Sequence, residues 1–412
     1  MLSYTLINDL LEVKESYEMP TKLMAALESK KRREELFDKF LENETDLTYD
    51  WFTNYFQEEH SDRGKLKQDF TPDEITTIVS EIGGHPDTVT DICTGTGGLT
   101  IKEWANNKNA YFHCEEVSSR TVPILLFNLA IRGINSEVVH GDSLEGKVEC
   151  IYKLTNNGKY SDIEKIEHYE SEKAGKIISN PPYSLAWDTK GKENDIRFKD
   201  YELAPKSKAD YSFILHGLYQ LKDNGTMIYI LPHGVLFRGS QEGKIRQKLI
   251  ENNLIDAVIG LPDKLFLNTS IPTLILVLKK NKQDNNLFFI DASKEFEKEG
   301  KLNKLTDENI KKIVETYKER KNVDKYAALV SLEEIKENDY NLNIPRYVDT
   351  TEEEPPIDII KVIQDLTEID NQINETEKNL LCMLKQLTTA DKQKRKELDT
   401  TIKYFEMRAN EF

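Results

Sequence analysis

The chain lacks an apolar run long enough to cross a membrane, and it contains few cysteines. The four cysteines stand at positions 93, 114, 150 and 382, and their spacing is not that of a metal site. The N-terminal residues Met1–Tyr4 lead into acidic residues rather than into a basic stretch followed by an apolar one, so no secretion signal is expected. We therefore expect a reduced, cytoplasmic protein that has no disulfides, no bound metal ion and no contact with a membrane.

An excess of positive charge is also missing. The chain has 56 Lys and Arg against 73 Asp and Glu, a net charge of −17. Proteins that hold DNA by themselves are usually basic, because neutralising phosphates supplies much of the affinity. Either the substrate is not a nucleic acid, or a more basic partner shares the binding. Local basic clusters occur at 63–67 and 188–208, and the second is as readily a solvated loop.

A glycine-rich turn follows a predicted strand at residues 89–92. Asp91 lies at the end of this strand, glycines stand at positions 95, 97 and 98, and a predicted helix begins at Leu99. Glycines let a backbone turn tightly and approach a ligand closely. The spacing differs from the dinucleotide fingerprint and from the Walker phosphate loop. Alone, the turn is weak support for a ligand site, because many strand-to-helix turns contain two glycines.

Acidic residues end the next two predicted strands. The first, 111–114, leads to Glu115 and Glu116, and the second, 137–140, leads to Asp142. An acid about twenty residues after a glycine turn suits the two hydroxyls of a ribose, and Asp142 could accept from an adenine amino group. Each carboxylate alone is more readily a solvated loop residue. Together, glycine turn, acid and acid at successive strand ends are typical of an S-adenosylmethionine site.

The tetrapeptide Asn180-Pro181-Pro182-Tyr183 ends an apolar run at 176–179. Two prolines fix φ and remove two backbone donors, so the main chain there offers only carbonyl oxygens. An Asn oxygen, a Pro carbonyl and an aromatic face suit a planar group carrying an NH2, such as adenine. A rigid turn after a core strand is the alternative for the tetrapeptide alone. Combined with the glycine turn, the tetrapeptide favours a catalytic site.

With these motifs the chain resembles the modification (methyltransferase) subunits of type I restriction–modification systems, which are N6-adenine DNA methyltransferases. The resemblance runs from about residue 60 to 348. Departures include Ile92, Cys93 and Thr94, where the family usually has Pro, Ala and Cys, and Cys114, where it has Gly. Further matching segments are QDFTP at 68–72, NL at 128–129, RGI at 132–134, ADYSF at 209–213, LPHGVLFR at 231–238, IGLP at 259–262, IPT at 271–273, YNLN at 340–343 and RYV at 346–348.

The resemblance implies roles for individual residues. A Rossmann-like S-adenosylmethionine-dependent methyltransferase sheet of the α/β class would carry them, and no metal is implied. The implied cofactor contacts are Phe70, Thr71, Pro72, Asp91, Gly95, Gly97, Glu116 and Asp142, and the implied catalytic residues are Asn180, Pro181, Pro182 and Tyr183.

Three regions are expected along the chain. Residues 1–60 show helical spacing of leucines and form an N-terminal helical region that either clamps DNA or caps the sheet. Residues 61–348 alternate strand and helix patterns, which predicts a mainly parallel sheet. Residues 349–412 contain a linker and an apolar heptad that predicts a coiled-coil tail, favoured over an intramolecular helical hairpin. The heptad positions are Ile359, Val362, Leu366, Ile369, Ile373, Thr376, Leu380, Met383 and Leu387.

The function that the resemblance implies is methyl transfer from S-adenosylmethionine to N6 of a flipped adenine in double-stranded DNA. A DNA-specificity subunit, bound through the C-terminal helices, is the expected partner, and a restriction or translocase subunit is left open as another. Three alternatives remain. They are a methyltransferase acting on glutamine side chains of proteins, a non-catalytic cofactor-binding scaffold, and a stand-alone methyltransferase with its own specificity.

Overall fold

One large sheet forms the centre of the fold. The structure is a computed structural model, and it describes residues 2–53, 55, 71–169, 172–267, 270–350 and 358–409. The strands are β1 (Thr88–Ile92), β2 (Tyr111–Glu116), β3 (Ser136–Asp142), β4 (Lys147–Asn156), β5 (Ser161–Ile166), β6 (Ala174–Ser179), β7 (Leu221–Pro232), β8 (Ile255–Gly260), β9 (Thr273–Lys279), β10 (Leu287–Asp291), β11 (Glu297–Glu299), β12 (Leu302–Lys304) and β13 (Ala327–Val330).

Eleven of these strands pair in the order β13-β10-β8-β9-β7-β6-β1-β2-β3-β4-β5, while β11 and β12 form a separate hairpin. The five central strands, from β7 to β3, are all parallel. The chain runs outward from β1 to β3 and later crosses to β6 and β7 on the other side. The carboxyl ends of β1 and β6 therefore flank a topological switch point, the usual place for a ligand in an open α/β sheet.

Antiparallel pairing on both flanks departs from the mainly parallel sheet expected from sequence. On one side β9 lies antiparallel between β7 and β8. On the other, the polar stretch after Asp142 forms the antiparallel strands β4 and β5. The α/β class with helices before and after the sheet is confirmed, and the parallel arrangement holds at the centre.

Helices cover the sheet and form the two ends of the chain. The α-helices are α1 (Tyr4–Leu10), α2 (Met19–Leu27), α3 (Lys30–Leu41), α4 (Asp73–Ile82), α5 (Gly98–Asn106), α6 (Val122–Ile131), α7 (Asp210–Gln220), α8 (Ser240–Glu251), α9 (Asp307–Glu319), α10 (Leu332–Glu337), α11 (Ile359–Gln386) and α12 (Lys392–Ala409). Short 3-10 helices span Ser16–Glu18, His233–Leu236 and Ile344–Arg346.

The N-terminal helices pack against α6 and the β4–β5 edge. Phe37 and Phe40 of α3 are fully buried and meet the ring of Phe127 on α6 at 5.1 and 4.8 Å between centroids. Asp38 accepts hydrogen bonds from Lys159 and Tyr160 at the β4–β5 turn, at 2.5 and 2.6 Å. Burial of these aromatic rings makes the N-terminal region a cap on this side of the sheet.

The chain divides into two compact units, Met1–Thr350 and Thr351–Phe412. In the second unit α12 packs against α11, and Lys385–Glu406 and Glu377–Arg408 form ion pairs of 2.6 and 2.8 Å between them. The half-buried positions of α11 are 374, 377, 381 and 384. These positions form a stripe beside the heptad positions, whose apolar side chains remain exposed; Leu366 and Ile369 are 55% and 50% exposed. A helical pairing does form within the chain, and it leaves the predicted seam uncovered by α12.

Two further classes of feature are absent from the part of the chain that the structure describes. No helix there combines the length and apolar character needed to cross a membrane. No group of His, Cys, Asp and Glu there is arranged to hold a metal ion.

Candidate active site

The carboxyl ends of the central strands surround a cavity of about 270 Å³. All four residues of the tetrapeptide 180–183 line it, and so do Gly95, Glu116 and Asp142. Thr71, from the segment before α4, also lines the cavity. Residues far apart in sequence meet here because parallel strands bring their carboxyl ends to one edge of a sheet.

The glycine turn between β1 and α5 needs backbone freedom at several positions. Gly95 and Gly97 have φ of 62° and 99°, and Cys93 between strand and turn has φ of 60°. Positive φ is costly for residues with a Cβ, so the two glycines relieve strain where the turn is tightest. The Gly95 amide donates to Glu116 Oε2 at 2.8 Å, which joins the turn to the end of β2.

The two acids at the ends of β2 and β3 are held by backbone amides. Glu116 Oε1 accepts from the Ser118 amide at 2.7 Å. Asp142 Oδ1 accepts from the amides of Leu144 and Glu145, both at 2.9 Å. Burial raises the pKa of Glu116, while the hydrogen bonds from Ser118 and Gly95 oppose this rise. Both carboxylates are therefore fixed in direction at the cavity wall.

Some implied cofactor residues lie elsewhere. Asp91 is fully buried behind the wall, where its Oδ2 accepts from the Thr100 hydroxyl at 2.7 Å. Gly97 caps the N-terminus of α5, and Pro72 precedes α4, and neither lines the cavity. Phe70 lies outside the described residues. The strand-end pattern does not separate residues that line a site from residues that shape the backbone behind it.

The tetrapeptide is tied together by its own side chains. Tyr183 donates from its hydroxyl to Asn180 Oδ1 at 2.8 Å, and Asn180 Nδ2 donates to Thr71 Oγ1 at 3.0 Å. The neighbouring Ser179 hydroxyl donates to the Ile92 carbonyl at 2.6 Å, which fastens the end of β6 to the end of β1. The Asn180 amide is thus oriented from both ends.

Several residues at the cavity or directly behind it have no signal in the sequence. Phe266 is buried and meets the Tyr183 ring edge to face, with 6.2 Å between centroids. Unlike Phe266, which meets the Tyr183 ring, three residues line the cavity itself: Leu185 and Trp187, which follow the tetrapeptide, and Thr53 from the N-terminal region. They come from loops whose position depends on tertiary packing, so neither periodicity nor motif spacing could have found them.

Two side chains of the basic cluster after the tetrapeptide, Arg197 and Lys192, bond to other groups of the protein. Arg197 donates to the carbonyls of Ser143 and Leu144 at 2.5 and 2.9 Å and pairs with Asp195 at 2.7 Å. Lys192 donates to the Leu144 carbonyl at 3.0 Å. These contacts anchor the 188–208 segment to the loop that carries Asp142, so these two cations are less available to an external phosphate.

The N-terminal region also contacts the glycine turn. Asp50 accepts from the Thr96 hydroxyl at 2.5 Å and from Asn128 Nδ2 at 2.8 Å. Asn128 donates in addition to the Thr96 carbonyl at 2.8 Å. Arg132 donates to the carbonyls of Leu47 and Tyr49, at 2.8 and 2.6 Å, and so fixes the loop that carries Asp50. The N-terminal cap therefore reaches the cavity wall.

Comparison with known proteins agrees with this geometry. The methylase subunit of type I restriction enzyme MpnII from Mycoplasma pneumoniae is 34% identical over 351 residues, covering 81% of this chain and 62% of that protein. The MjaVIII methylase subunit of Methanocaldococcus jannaschii is 33% identical over 348 residues, covering 79% and 57%. A crystal structure of a type I restriction-modification methyltransferase subunit from Streptococcus thermophilus shares 40% identity at a TM-score of 0.61, covering 68% and 59%. The chain thus spans less than two thirds of the length of each.

These similarities confirm the resemblance to type I modification subunits that the motifs indicate. The family model described as N-6 DNA Methylase matches residues 45–355. The matched range contains the glycine turn, the acids that end β2 and β3, and the tetrapeptide at 180–183. The chain therefore belongs to the N-6 DNA methylase family.

Proposed function

We propose that this chain is the modification subunit of a type I restriction–modification complex and methylates N6 of adenine in double-stranded DNA. One observation carries the proposal: the tetrapeptide 180–183 shares a cavity with Gly95, Glu116 and Asp142. A group that accepts a methyl and a group that donates it must meet within one such cavity, because proximity and orientation lower much of the barrier.

The wall residues of β1, β2 and β3 suit S-adenosylmethionine. Glu116 would accept from the ribose hydroxyls, and Asp142 would accept from the adenine amino group of the cofactor. The open backbone of the glycine turn fits close approach by a ligand, since a Cβ at Gly98 would meet nothing within 4 Å. When bound, the cofactor supplies an electrophilic methyl group on a sulfonium.

The tetrapeptide suits the target amine. Asn180 Oδ1 and the Pro181 carbonyl would accept the two N–H bonds of the adenine amino group and turn its lone pair outward. Tyr183 would stack on the base. The Tyr183 hydroxyl now donates to Asn180 Oδ1 at 2.8 Å, so the oxygen is already directed as an acceptor.

The target adenine must leave the duplex, because its amino nitrogen cannot be reached inside the base stack. The residues at the cavity mouth would hold the extruded base. No strong general base is needed, since the proton leaves after the nitrogen becomes cationic. The positions of Asn180, Pro181 and Tyr183, rather than a perturbed base, would supply the catalysis.

The C-terminal unit suits a protein partner. We call the apolar side chains at the heptad positions of α11 the seam. These side chains are exposed, because α12 does not cover them. A helix of a second subunit could cover the seam. A DNA-specificity subunit is the proposed occupant. A restriction or translocase subunit could join the same complex.

The test uses the chain purified with its specificity partner, a duplex containing the target site, and radiolabelled S-adenosylmethionine. Asn180→Ala should lower the transfer rate by at least about a hundredfold and leave cofactor affinity within about threefold, because Asn180 is proposed to touch only the target amine. Asn285→Ala, at an exposed position between β9 and β10, is the control and should behave like the wild type.

The location of the label separates the proposed function from its alternatives. Label in N6-methyladenine supports the proposal. Label in protein would identify a glutamine-directed enzyme, and cofactor binding without any transfer would identify a scaffold. Equal loss of cofactor binding and turnover in Asn180→Ala would mean that Asn180 is structural.

A further inference from the structure

Asp210, the first residue of α7, is a fully buried carboxylate just outside the cavity. Its Oδ1 accepts from the Ser184 amide at 2.8 Å, and its Oδ2 accepts from Arg238 Nη2 at 2.5 Å. A buried carboxylate is stable only where charge and hydrogen bonds compensate for lost water. Here one compensating group is the backbone of the residue that follows Tyr183.

Ser184 has an uncommon backbone conformation. Its φ is 50°, in the left-handed region that residues with a Cβ rarely adopt. Such conformations persist where surrounding contacts determine them, and they are frequent at functional sites. The next residue is also fastened, because Leu185 accepts from the Ala209 amide at 2.8 Å. The turn after the tetrapeptide is thus held by the start of α7.

Arg238, the cation that pairs with Asp210, is itself held in place. Arg238 pairs with Glu242 at 2.7 Å as well as with Asp210. The Arg238 carbonyl accepts from Arg246 Nη1 at 2.9 Å, and Arg246 Nε donates to the Tyr340 carbonyl at 2.9 Å. Arg238 is therefore fixed by two further elements, and it limits the positions that the Asp210 carboxylate can take.

We propose that Asp210 is a positioning residue, which holds Ser184 in its left-handed conformation so that Tyr183 faces the cavity. The inference rests on the proposed function and deepens it. Asp210 does not line the cavity, so it acts through the backbone and contacts neither base nor cofactor. Its loss should therefore lower turnover and leave cofactor affinity unchanged.

The test uses the assembled complex and the variant Asp210→Asn. The neutral side chain is a weaker acceptor than a carboxylate, and without the ion pair to Arg238 its oxygen is no longer held towards the Ser184 amide. We expect kcat to fall at least about tenfold while the cofactor Kd stays within about twofold. The control is Asp256→Asn. Asp256 is a comparably buried carboxylate, bonded to Arg320 at 3.0 Å and Tyr317 at 2.9 Å outside the cavity. This control should keep the wild-type kcat at temperatures where it is folded.

Rescue distinguishes positioning from general stability. Glycine adopts positive φ without the strain of a Cβ, so Ser184→Gly in the Asp210→Asn background should restore kcat by about fivefold. Ser184→Gly alone should stay close to wild type. A purely structural role for Asp210 would give a loss that follows the melting temperature and is not restored by glycine, and this result would overturn the proposal.

The anchor is the hydrogen bond from the Ser184 amide to Asp210, and hydrogen exchange at that amide measures its strength independently of activity. We expect faster exchange in Asp210→Asn and unchanged exchange in Asp256→Asn. Unchanged exchange in Asp210→Asn would refute the anchor whatever the turnover. A wild-type complex that transfers no methyl group to DNA would instead refute the proposed function, and with it the catalytic consequence of the anchor.

Discussion

Tyr183 combines two contacts that substitution can separate. Its ring meets Phe266, and its hydroxyl donates to Asn180 Oδ1. Tyr183→Phe removes the hydroxyl that donates to Asn180 and keeps the ring, and we expect the transfer rate to fall by about tenfold or less. Tyr183→Ala also removes the stacking face, and we expect a loss of at least about a hundredfold. Single-turnover rates at saturating cofactor measure the loss in each of the two variants.

Tyr219→Phe and Tyr219→Ala are the matched controls, because Tyr219 is an exposed tyrosine on α7. Neither should change the rate. If Tyr183→Phe lost as much activity as Tyr183→Ala, the hydroxyl rather than the ring would be the important group, and the stacking role would be wrong.

Asp91 should make stability depend on pH. Burial, with the nearby carboxylates of Glu103 and Glu116, raises its pKa to about 8 from an ordinary 3.8, and the Thr100 hydroxyl only partly opposes this. The pKa of Asp91 is higher in the folded state than in the unfolded state. The contribution of Asp91 to stability is therefore complete below about pH 4. That contribution declines as the pH rises through 8.

Asp91→Asn removes this titration. The free energy of unfolding of the variant, relative to wild type, should therefore increase between pH 5 and pH 8, by up to several kcal/mol. Denaturant unfolding at a series of pH values checks the slope. A difference that stays constant with pH would show that Asp91 is ionised throughout in the folded protein.

At the scale of elements, the N-terminal region contacts the wall of the cavity proposed to hold the cofactor. Asp50 holds Thr96 of the glycine turn and Asn128 of α6. Asp50→Ala should weaken S-adenosylmethionine binding by about tenfold, or about 1.4 kcal/mol, because the turn loses its external anchor. Titration calorimetry measures this affinity.

Asp38→Ala is the control from the same region. The hydrogen bonds of Asp38 come from Lys159 and Tyr160 at the β4–β5 turn, whereas those of Asp50 come from Thr96 in the glycine turn and from Asn128. We expect Asp38→Ala to lower the melting temperature and to leave cofactor affinity unchanged. Equal weakening by both variants would mean that the N-terminal region acts only through stability.

The central strands were predictable from sequence because both of their faces are buried. Strands such as 89–92 and 176–179 are short apolar runs that end at turn residues, and the structure has strands at both. The β4–β5 hairpin was not predicted. Its strands lie at the edge of the sheet and expose much of their length, so their sequences are polar and show little periodicity.

The residues of the site likewise divide into those that were predictable from sequence and those that were not. Asn180, Glu116 and Asp142 stand at strand ends, and topology alone brings them together. Leu185 and Trp187 reach the cavity from a loop, whose path depends on bonds such as that from the Trp187 amide to the Lys206 carbonyl at 2.9 Å. Such long-range contacts leave no pattern in the local sequence.

At the scale of the whole molecule, the net charge of −17 limits what the chain does alone. Phosphate neutralisation dominates affinity for DNA, and an acidic protein gains little of it. Arg197 and Lys192, near the cavity, are already committed to the Ser143–Glu145 loop. If the chain acts on a duplex as proposed, we expect stable binding to need a more basic partner, and the exposed seam of α11 is the proposed place of attachment.

The seam can be tested in the full-length chain. Leu366→Glu combined with Ile369→Glu places two charges in the proposed interface, so capture of the specificity subunit should fall at least about a hundredfold. The melting temperature should not change, because both side chains are exposed. Gln364→Glu combined with Asn371→Glu adds two charges to the opposite face of α11 and should leave capture intact. Equal loss in both double variants would indicate a general effect of charge, and wild-type capture by the seam variant would place the partner elsewhere on the chain.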